Sequence, residues 1–311
     1  MLALPVKDFK ILFYFSATKP SSGGEQKAVR HNYMSFVSGG KERALIRLGL
    51  AQMDMAWEGI KENKAKVGHF LAKAGEKGTD LLIFPEMTMT GFSMNTALSE
   101  YYKDQKDFFS RKAAEYGISI IYGVIAPGRE KRFENHLVMV DEKGNCLMEY
   151  AKIHPFTYGA EGKYYSGGDK VYVSHWHDTC LSGFVCYDLR FPQIFQAVSG
   201  EAEMIVVIAN WPKERIDHWD ALLRARAIEN SCYVVGVNRA GTAGRLDYNG
   251  HSAVYDYLGK RITPPVKEED LILAEIDTET VRPFRDSFPL LKDRRPDLYR
   301  NLTIERKGSF S

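Results

Sequence analysis

The sequence contains few cysteines, and their spacing follows no known framework. Four cysteines occur among 311 residues, and no two of them form a Cys-x-x-Cys pair. This number and scatter exclude a disulfide scaffold and give no zinc or redox motif. A reducing compartment fits such a chain best, so we expect the protein in the cytoplasm. The four are Cys146, Cys180, Cys186 and Cys232.

The sequence also lacks an excess of either charge and a long apolar run. Lysine and arginine number 42 and aspartate and glutamate 40, which gives a formal net charge of +2. This balance argues against a protein that binds nucleic acid through phosphate contacts. No apolar run approaches the roughly 18 residues that a membrane-spanning helix needs. We therefore expect neither a nucleic-acid partner nor a membrane partner.

The first 44 residues differ in composition from the rest. They carry seven lysines and arginines against three acidic residues, with two Ser/Gly-rich stretches. Either this is an organelle transit segment, although it lacks a clear amphipathic Arg-rich helix, or it is an extension upstream of a start at Met34. We favour an extension with no catalytic role.

From residue 45 onward the pattern alternates between strands and helices. Strands are predicted at 46–53, 81–84, 119–125, 135–141, 181–185, 204–209, 231–238, 250–257 and 271–276. Helical periodicity occurs at 61–77, 104–116, 192–198 and 219–230. Hairpins between these elements predict an α/β sandwich rather than a purely parallel sheet. No repeat or linker interrupts the pattern, so we expect one domain at 45–300 and a tail at 301–311.

Cys186 stands where an apolar strand is predicted to end and a helix to begin. Asp188 is suited to cap that helix, which continues over 193–198. A thiol in this place faces the positive end of a helix dipole, which favours the nucleophilic thiolate. The same pattern also fits a small buried core cysteine, which is the commoner case for a cysteine taken alone.

Two further side chains stand at predicted strand ends. Glu86 follows the apolar run 81–85, and Lys152 follows 149–151. A carboxylate beside a hydrophobic strand costs burial energy unless it has a partner or a task. Strand ends are also where α/β active sites form. Either residue alone fits a solvated loop, but with Cys186 they supply a base, a cation and a nucleophile.

The segments around these three residues resemble the nitrilase superfamily of carbon–nitrogen hydrolases, and the resemblance covers about 45–299. The order Asn210-Trp-Pro, His218-Trp and 224–230 looks like the ω-amidase branch, whose members hydrolyse the terminal amide of 2-oxoglutaramate or 2-oxosuccinamate. The blocks that carry the resemblance are LLIFPEMTMTGF, YAKIHPF, GFVCYDLRFP and ANWPKERIDHWDALLRARAIENSCYVVGVNRAG.

The resemblance implies a four-layer α-β-β-α sandwich and a role for each site residue. Cys186 would attack the amide carbon, and Glu86 would be the general base. Lys152 and the backbone N–H of Tyr187 would stabilise the oxyanion. Glu161 would support them, although a solvent-exposed loop carboxylate fits its sequence context equally well. No metal or organic cofactor is implied, and a homodimer or a higher homo-oligomer is expected.

Three more residues are candidates for contact with a small-molecule amide substrate. Arg190 either binds a substrate carboxylate or pairs with a buried acid, and we favour the pairing. Trp211 lines the pocket or packs in the core, and Arg239 contacts substrate or lies on the surface. His154 is reactive by type, but the resemblance gives it no role.

Several alternatives remain open at this point. Another carbon–nitrogen hydrolase, such as a deaminated-glutathione amidase, a carbamoylase or a nitrilase, would share the same three residues. A catalytically silent oligomeric binding protein is the alternative from a different class, and the intact Glu86, Lys152 and Cys186 speak against it. A papain-type protease needs a Cys–His pair that the sequence does not make evident.

Overall fold

The computed structural model describes residues 45–128 and 132–305. The predicted extension at 1–44 lies outside these residues, as do the last six residues of the predicted tail. The strands are β1 Ile46–Gln52, β2 Leu81–Ile83, β3 Ser119–Pro127, β4 Phe133–Val140, β5 Cys146–Ala151, β6 Ser174–Trp176, β7 Thr179–Val185, β8 Met204–Ala209, β9 Tyr233–Asn238, β10 Ala240–Ala243, β11 Leu246–Asn249, β12 Ala253–Tyr255 and β13 Asp270–Ile276.

α-Helices follow six of these strands, directly or after a short 3-10 segment. Short 3-10 segments fill several connections, and two of them, Cys186–Arg190 and Lys213–Arg215, matter for the site. Within the described ranges, no helix combines the length and the apolar character needed to cross a membrane. The α-helices are α1 Ile60–Glu76, α2 Tyr102–Tyr116, α3 Glu161–Tyr164, α4 Pro192–Val198, α5 Ile216–Asn230, α6 Val281–Ser287 and α7 Pro296–Arg300.

The strands form two mixed sheets and one hairpin. The first sheet has the order β13-β1-β2-β3-β4-β5, and the second has the order β12-β9-β8-β7-β6. In each sheet the central strands run parallel and the outer strands antiparallel. β10 and β11 pair with each other outside both sheets.

The two sheets pack face to face, and helices cover their outer faces. A Cβ atom on Gly183 of β7 would lie 2.8 Å from a methyl group of Leu137 on β4, so the sheets approach closely there. On the first sheet, α1 and α2 bury Phe70 and Phe109 in one apolar cluster with Leu82. On the second, α5 packs against β9. The architecture is therefore the expected α-β-β-α sandwich.

The predicted elements agree with the structure along most of the chain. The helix predicted at 192–198 and the strand predicted at 204–209 have the observed bounds, and the other predicted helices differ by at most three residues at either end. The hairpin of β10 and β11 was not predicted, because its strands are only four residues long, Gly241 stands within β10, and there is little apolar alternation. The central parallel strands end in the same region, which positions the site.

Candidate active site

Glu86 follows β2 by three residues and is fully buried. Its Oε1 accepts hydrogen bonds from Asn135 Nδ2 at 2.7 Å and Lys152 Nζ at 3.0 Å. Its Oε2 accepts one from the backbone N–H of Asn210 at 2.9 Å. Both oxygens are thus held by donors from β4, β5 and β8, which fixes the direction of the carboxylate. The partners replace the water that burial removes.

A glycine on the neighbouring strand makes room for the Glu86 backbone. Gly123 of β3 lies directly against it, and a Cβ atom there would stand 2.2 Å from Met87 N and 2.7 Å from Glu86 Cα. Met87 itself has a φ of +50°, so the chain turns sharply just after the carboxylate. Backbone atoms cannot rotate away as a side chain can, so the position requires glycine.

We therefore expect Gly123→Ala to destabilise the protein by about 1–3 kcal/mol, as overpacking does in other cores. Urea unfolding measures this change directly. Gly68→Ala is the matched control, because an added Cβ meets nothing within 4 Å on α1 and alanine favours a helix. An unchanged free energy of unfolding in Gly123→Ala would contradict the close approach.

Lys152 directly follows β5 and is only 1% exposed. Its Nζ donates to Glu86 Oε1 and to Glu161 Oε2 at 2.8 Å, so one ammonium group bridges two carboxylates. Burial lowers the pKa of Lys152, but the charges of Glu161 and Glu86 outweigh burial and raise it well above its usual value. The lysine therefore stays cationic and serves as an electrostatic group rather than a base.

Glu161 lies at the start of the short helix α3 and is fully buried. Its carboxylate accepts from Lys152, from Asn135 Nδ2 at 3.0 Å and from the backbone N–H of Phe156 at 2.5 Å. The structure thus brings Glu161 into contact with the predicted group and excludes the solvent-exposed loop carboxylate that its sequence context also allowed.

Cys186 lies at the junction of β7 and the 3-10 segment that follows it. Its φ is +47°, a region that residues other than glycine adopt rarely. Asp188 stabilises the turn, because its buried carboxylate accepts hydrogen bonds from the backbone N–H of Val185 at 3.2 Å and from the hydroxyl of Tyr150 at 2.8 Å. Strain of this kind often marks functional positions.

The Cys186 thiol is held in its protonated form. Burial and then the negative charge of Glu86 raise the pKa of this thiol well above its usual value, and the opposing charge of Lys152 does not compensate. This reverses the prediction that a helix dipole favours the thiolate. The turn that follows is a 3-10 segment of five residues, and two carboxylates face a single ammonium group. A base must therefore remove the proton before the sulfur can attack.

The thiol opens into a cavity of about 450 Å³, including its mouth. Five aromatic rings and two guanidinium groups line it. Within the described ranges, no group of three or more His, Cys, Asp or Glu side chains is arranged to hold a metal ion. The lining residues are Phe92, Phe156, Cys186, Tyr187, Arg190, Asn210, Trp211, Pro212, Arg215, Leu246 and Tyr248.

The other predicted site residues occupy different places. Arg190 lines the cavity, 4.9 Å from the centre of the Trp211 ring, and contacts His218 rather than the buried acid we favoured. Trp211 forms part of the wall and is also packed against the core, being 3% exposed. The ring of Tyr187 lines the cavity as well.

Arg239 is neither on the surface nor on the cavity wall. It is fully buried, and its Nη2 donates to the carbonyl oxygens of Met55 at 3.0 Å and Thr242 at 3.2 Å. Its guanidinium lies behind the ring of Tyr248. Nη2 also donates to Asp54 Oδ1 at 3.2 Å, while the buried Nη1 has no hydrogen-bond partner among the described residues. Arg239 does not line the cavity, so the structure does not bring it into reach of a substrate. His154 is bonded to Asp188 at 2.8 Å, as a positioning group.

Four residues of the site were missed in the sequence. Asn135 and Asn210 orient Glu86, while Arg215 and Tyr248 line the cavity. A polar residue that opens the apolar strand NHLVMVD was the available signal for Asn135. Strand and helix periodicity gave no such signal for Arg215 and Tyr248, because a 3-10 segment and an unpredicted hairpin position them; only the resemblance to the ω-amidase branch covered these two residues.

Comparison with known proteins agrees with this geometry. The family model for carbon-nitrogen hydrolase matches residues 47–286. The chain is 32% identical over 252 residues to the 2-oxoglutaramate amidase of Bacillus subtilis, covering 80% of this chain and 97% of that protein. It is also 32% identical to the omega-amidase YafV of Escherichia coli, covering 80% of this chain and 96% of that protein.

Solved structures share the fold. A CN-hydrolase superfamily protein from Xanthomonas campestris, which carries an arsenic adduct in its active site, superposes with a TM-score of 0.75 at 31% identity, covering 81% of this chain and 98% of that one. An amidase from Nesterenkonia sp. has a TM-score of 0.75 at 24% identity, covering 82% and 95%. The chain belongs to the carbon–nitrogen hydrolase family, and it is a hydrolase that acts on amides.

Proposed function

We propose that the protein hydrolyses the terminal amide of a small carboxylate-bearing ω-amide, such as 2-oxoglutaramate or 2-oxosuccinamate, to the acid and ammonia. The observation that carries this proposal is the pair of guanidinium groups beside the thiol. Arg190 and Arg215 both line the cavity, and in the described part of the chain neither forms an ion pair with an acidic side chain. An anionic substrate group supplies the missing partner.

The buried charges support a thioester mechanism. Glu86 takes the proton of the Cys186 thiol as the sulfur attacks the amide carbon. Lys152 has three donors, two of which contact the same Glu161 carboxylate, so it can turn one of these from Glu161 to the oxygen that becomes negative, together with the backbone N–H of Tyr187. Glu86 then gives its proton to the leaving nitrogen, the C–N bond breaks, and ammonia departs.

The same groups serve the second half of the reaction. Glu86, ionised again after ammonia has left, removes a proton from a water molecule that attacks the thioester carbon. Lys152 again stabilises the oxyanion, the C–S bond breaks, and the sulfur regains its proton from Glu86. Glu161 and Asn135 form and break no covalent bonds. Their hydrogen bonds keep Lys152 and Glu86 in position.

A substrate panel tests the proposal. We expect ammonia release from 2-oxoglutaramate and 2-oxosuccinamate, with much lower kcat/KM for butanamide, which lacks the carboxylate. Arg215→Met should lower kcat/KM for the two anionic substrates about 10- to 100-fold, the usual contribution of a hydrogen bond to a charged group. Arg224→Met, an exposed arginine outside the cavity, is the control.

The panel also separates the alternatives. Preferred turnover of deaminated glutathione would assign the protein to another activity of the same family. A wild-type protein inert toward every amide, including glutamine, would favour a silent binding protein and contradict the proposal.

A further inference from the structure

The hairpin of β10 and β11 forms one wall of the cavity. Leu246 and Tyr248 stand two residues apart on β11, so their side chains point to the same side of the hairpin. Both line the cavity, and Tyr248 is only 6% exposed. β11 also packs beside the 3-10 segment that ends at Arg215. The hairpin therefore lines the same cavity as the Cys186 thiol and the Arg215 guanidinium.

Arg239 fixes the position of the Tyr248 ring. Its guanidinium lies 4.6 Å from the ring centre and is itself held by Nε donating to the carbonyl oxygen of Ala240 at 3.0 Å. The buried cation and the ring attract each other, and the arginine blocks the space into which the ring would turn. The Tyr248 hydroxyl forms no hydrogen bond with any group in ranges 45–128 and 132–305.

The groups that shift the pKa of Tyr248 indicate which residues lie near its hydroxyl. Burial raises the pKa of Tyr248 to about 12; Arg239 lowers it, Cys186 and Glu86 raise it, and Arg215 lowers it. The phenol thus stays protonated at neutral pH and lies within electrostatic reach of both the nucleophile and the cavity arginine. The side chain lines the cavity, so a bound anion there can accept the hydrogen bond of the hydroxyl.

We infer that Tyr248 determines specificity by donating its hydroxyl hydrogen bond to the carboxylate that Arg215 holds. This inference rests on the proposed function, because it concerns the same substrate. Tyr248 approaches the anion from β11, and Arg215 approaches it from the 3-10 segment. Together they select a substrate that carries a negative charge at this position in the cavity. Arg239 is a positioning residue that keeps the ring in place.

Tyr248→Phe tests the inference, because it removes the hydroxyl and keeps the ring. We expect KM for 2-oxoglutaramate and the inhibition constant of 2-oxoglutarate to rise about 10-fold, the contribution of one hydrogen bond to a charged group. We expect kcat to change less than about threefold. Alkylation of Cys186 by iodoacetamide, a neutral amide, should keep its wild-type rate. Tyr172→Phe, which lies outside the cavity, is the matched control.

The possible outcomes are distinct. A fall in kcat with KM unchanged, or an equal slowing of alkylation, would show that Tyr248 acts on the thiol and would overturn the inference while leaving the proposed function intact. Unchanged KM and inhibition constants would overturn it as well. If the wild type releases no ammonia from any ω-amide, the proposed function fails, and the inference fails with it.

Discussion

Cys186→Ala abolishes amide hydrolysis in this account, with a loss of at least about 10⁴-fold in kcat, because removing a covalent nucleophile leaves only binding and oxyanion stabilisation. Ammonia release from 2-oxoglutaramate measures the loss. The substitution removes one sulfur atom beside a cavity, so the fold is expected to persist, and thermal unfolding checks this.

The chain offers a demanding control for this prediction. Cys180 lies on the same strand, β7, and its sulfur is 3.2 Å from His175 Nδ1, so it forms the Cys–His pair that a papain-type mechanism requires. Cys180→Ala is expected to retain wild-type activity, because Cys180 lies outside the cavity that contains Cys186. If Cys180→Ala lost hydrolysis and Cys186→Ala retained it, Cys180 and not Cys186 would be the nucleophile.

Glu86→Gln has the second large effect: it abolishes hydrolysis but makes the Cys186 thiol easier to ionise. Glutamine keeps the size of the side chain but cannot accept the thiol proton, so kcat is expected to fall about 10²- to 10⁴-fold. The Glu86 charge raises the pKa of Cys186, so its removal lowers that pKa. The pH midpoint for alkylation of Cys186 by iodoacetamide should therefore move downward while hydrolysis is lost.

The rate of hydrolysis and the pH midpoint of alkylation together distinguish a base from a structural group. A merely structural role for Glu86 would slow hydrolysis without a downward shift of the alkylation midpoint, and that result would count against the mechanism. Glu115→Gln is the control, because it removes an exposed carboxylate near the end of α2 that pairs with Lys112. Both readouts are expected to stay at wild-type values in this variant.

The chemical centre of the site was predictable because its residues follow strands. Glu86 and Cys186 stand just past the apolar runs of parallel strands, Lys152 directly follows the antiparallel strand β5, and strand ends of one sheet or of facing sheets meet in space. The structure joins these positions through direct contacts, such as the 3.0 Å bond between Lys152 and Glu86.

The walls of the cavity were not predictable in the same way. Arg215 and Tyr248 reach the site from a 3-10 segment and a glycine-containing hairpin, where neither helical nor strand periodicity indicates direction. For Arg239 the prediction from sequence failed in the opposite way, because a substrate contact was considered that the structure does not form. Its residue type suggested contact with a substrate anion, but its Nη2 instead donates to the Met55 carbonyl oxygen and to the Asp54 carboxylate, 184 and 185 residues away in sequence. Such long-range pairing leaves no local signal.

The protonation state of Cys186 depends on the same long-range assembly. A strand-to-helix turn taken alone favours the thiolate, whereas the buried carboxylates that oppose it come from 25 and 100 residues upstream along the chain, at Glu161 and Glu86. The homodimer, the cytoplasmic location and the role of residues 1–44 stay predictions.

The central claim is that Cys186 carries the acyl group of the substrate as a thioester. Rapid acid quenching of the protein during turnover of 2-oxoglutaramate, followed by intact and peptide mass spectrometry, tests it most directly. The account predicts an added mass equal to the substrate minus ammonia, located on the peptide that contains Cys186 and absent from Cys186→Ala. Turnover at the wild-type rate in Cys186→Ala, or an adduct on another residue, would contradict it.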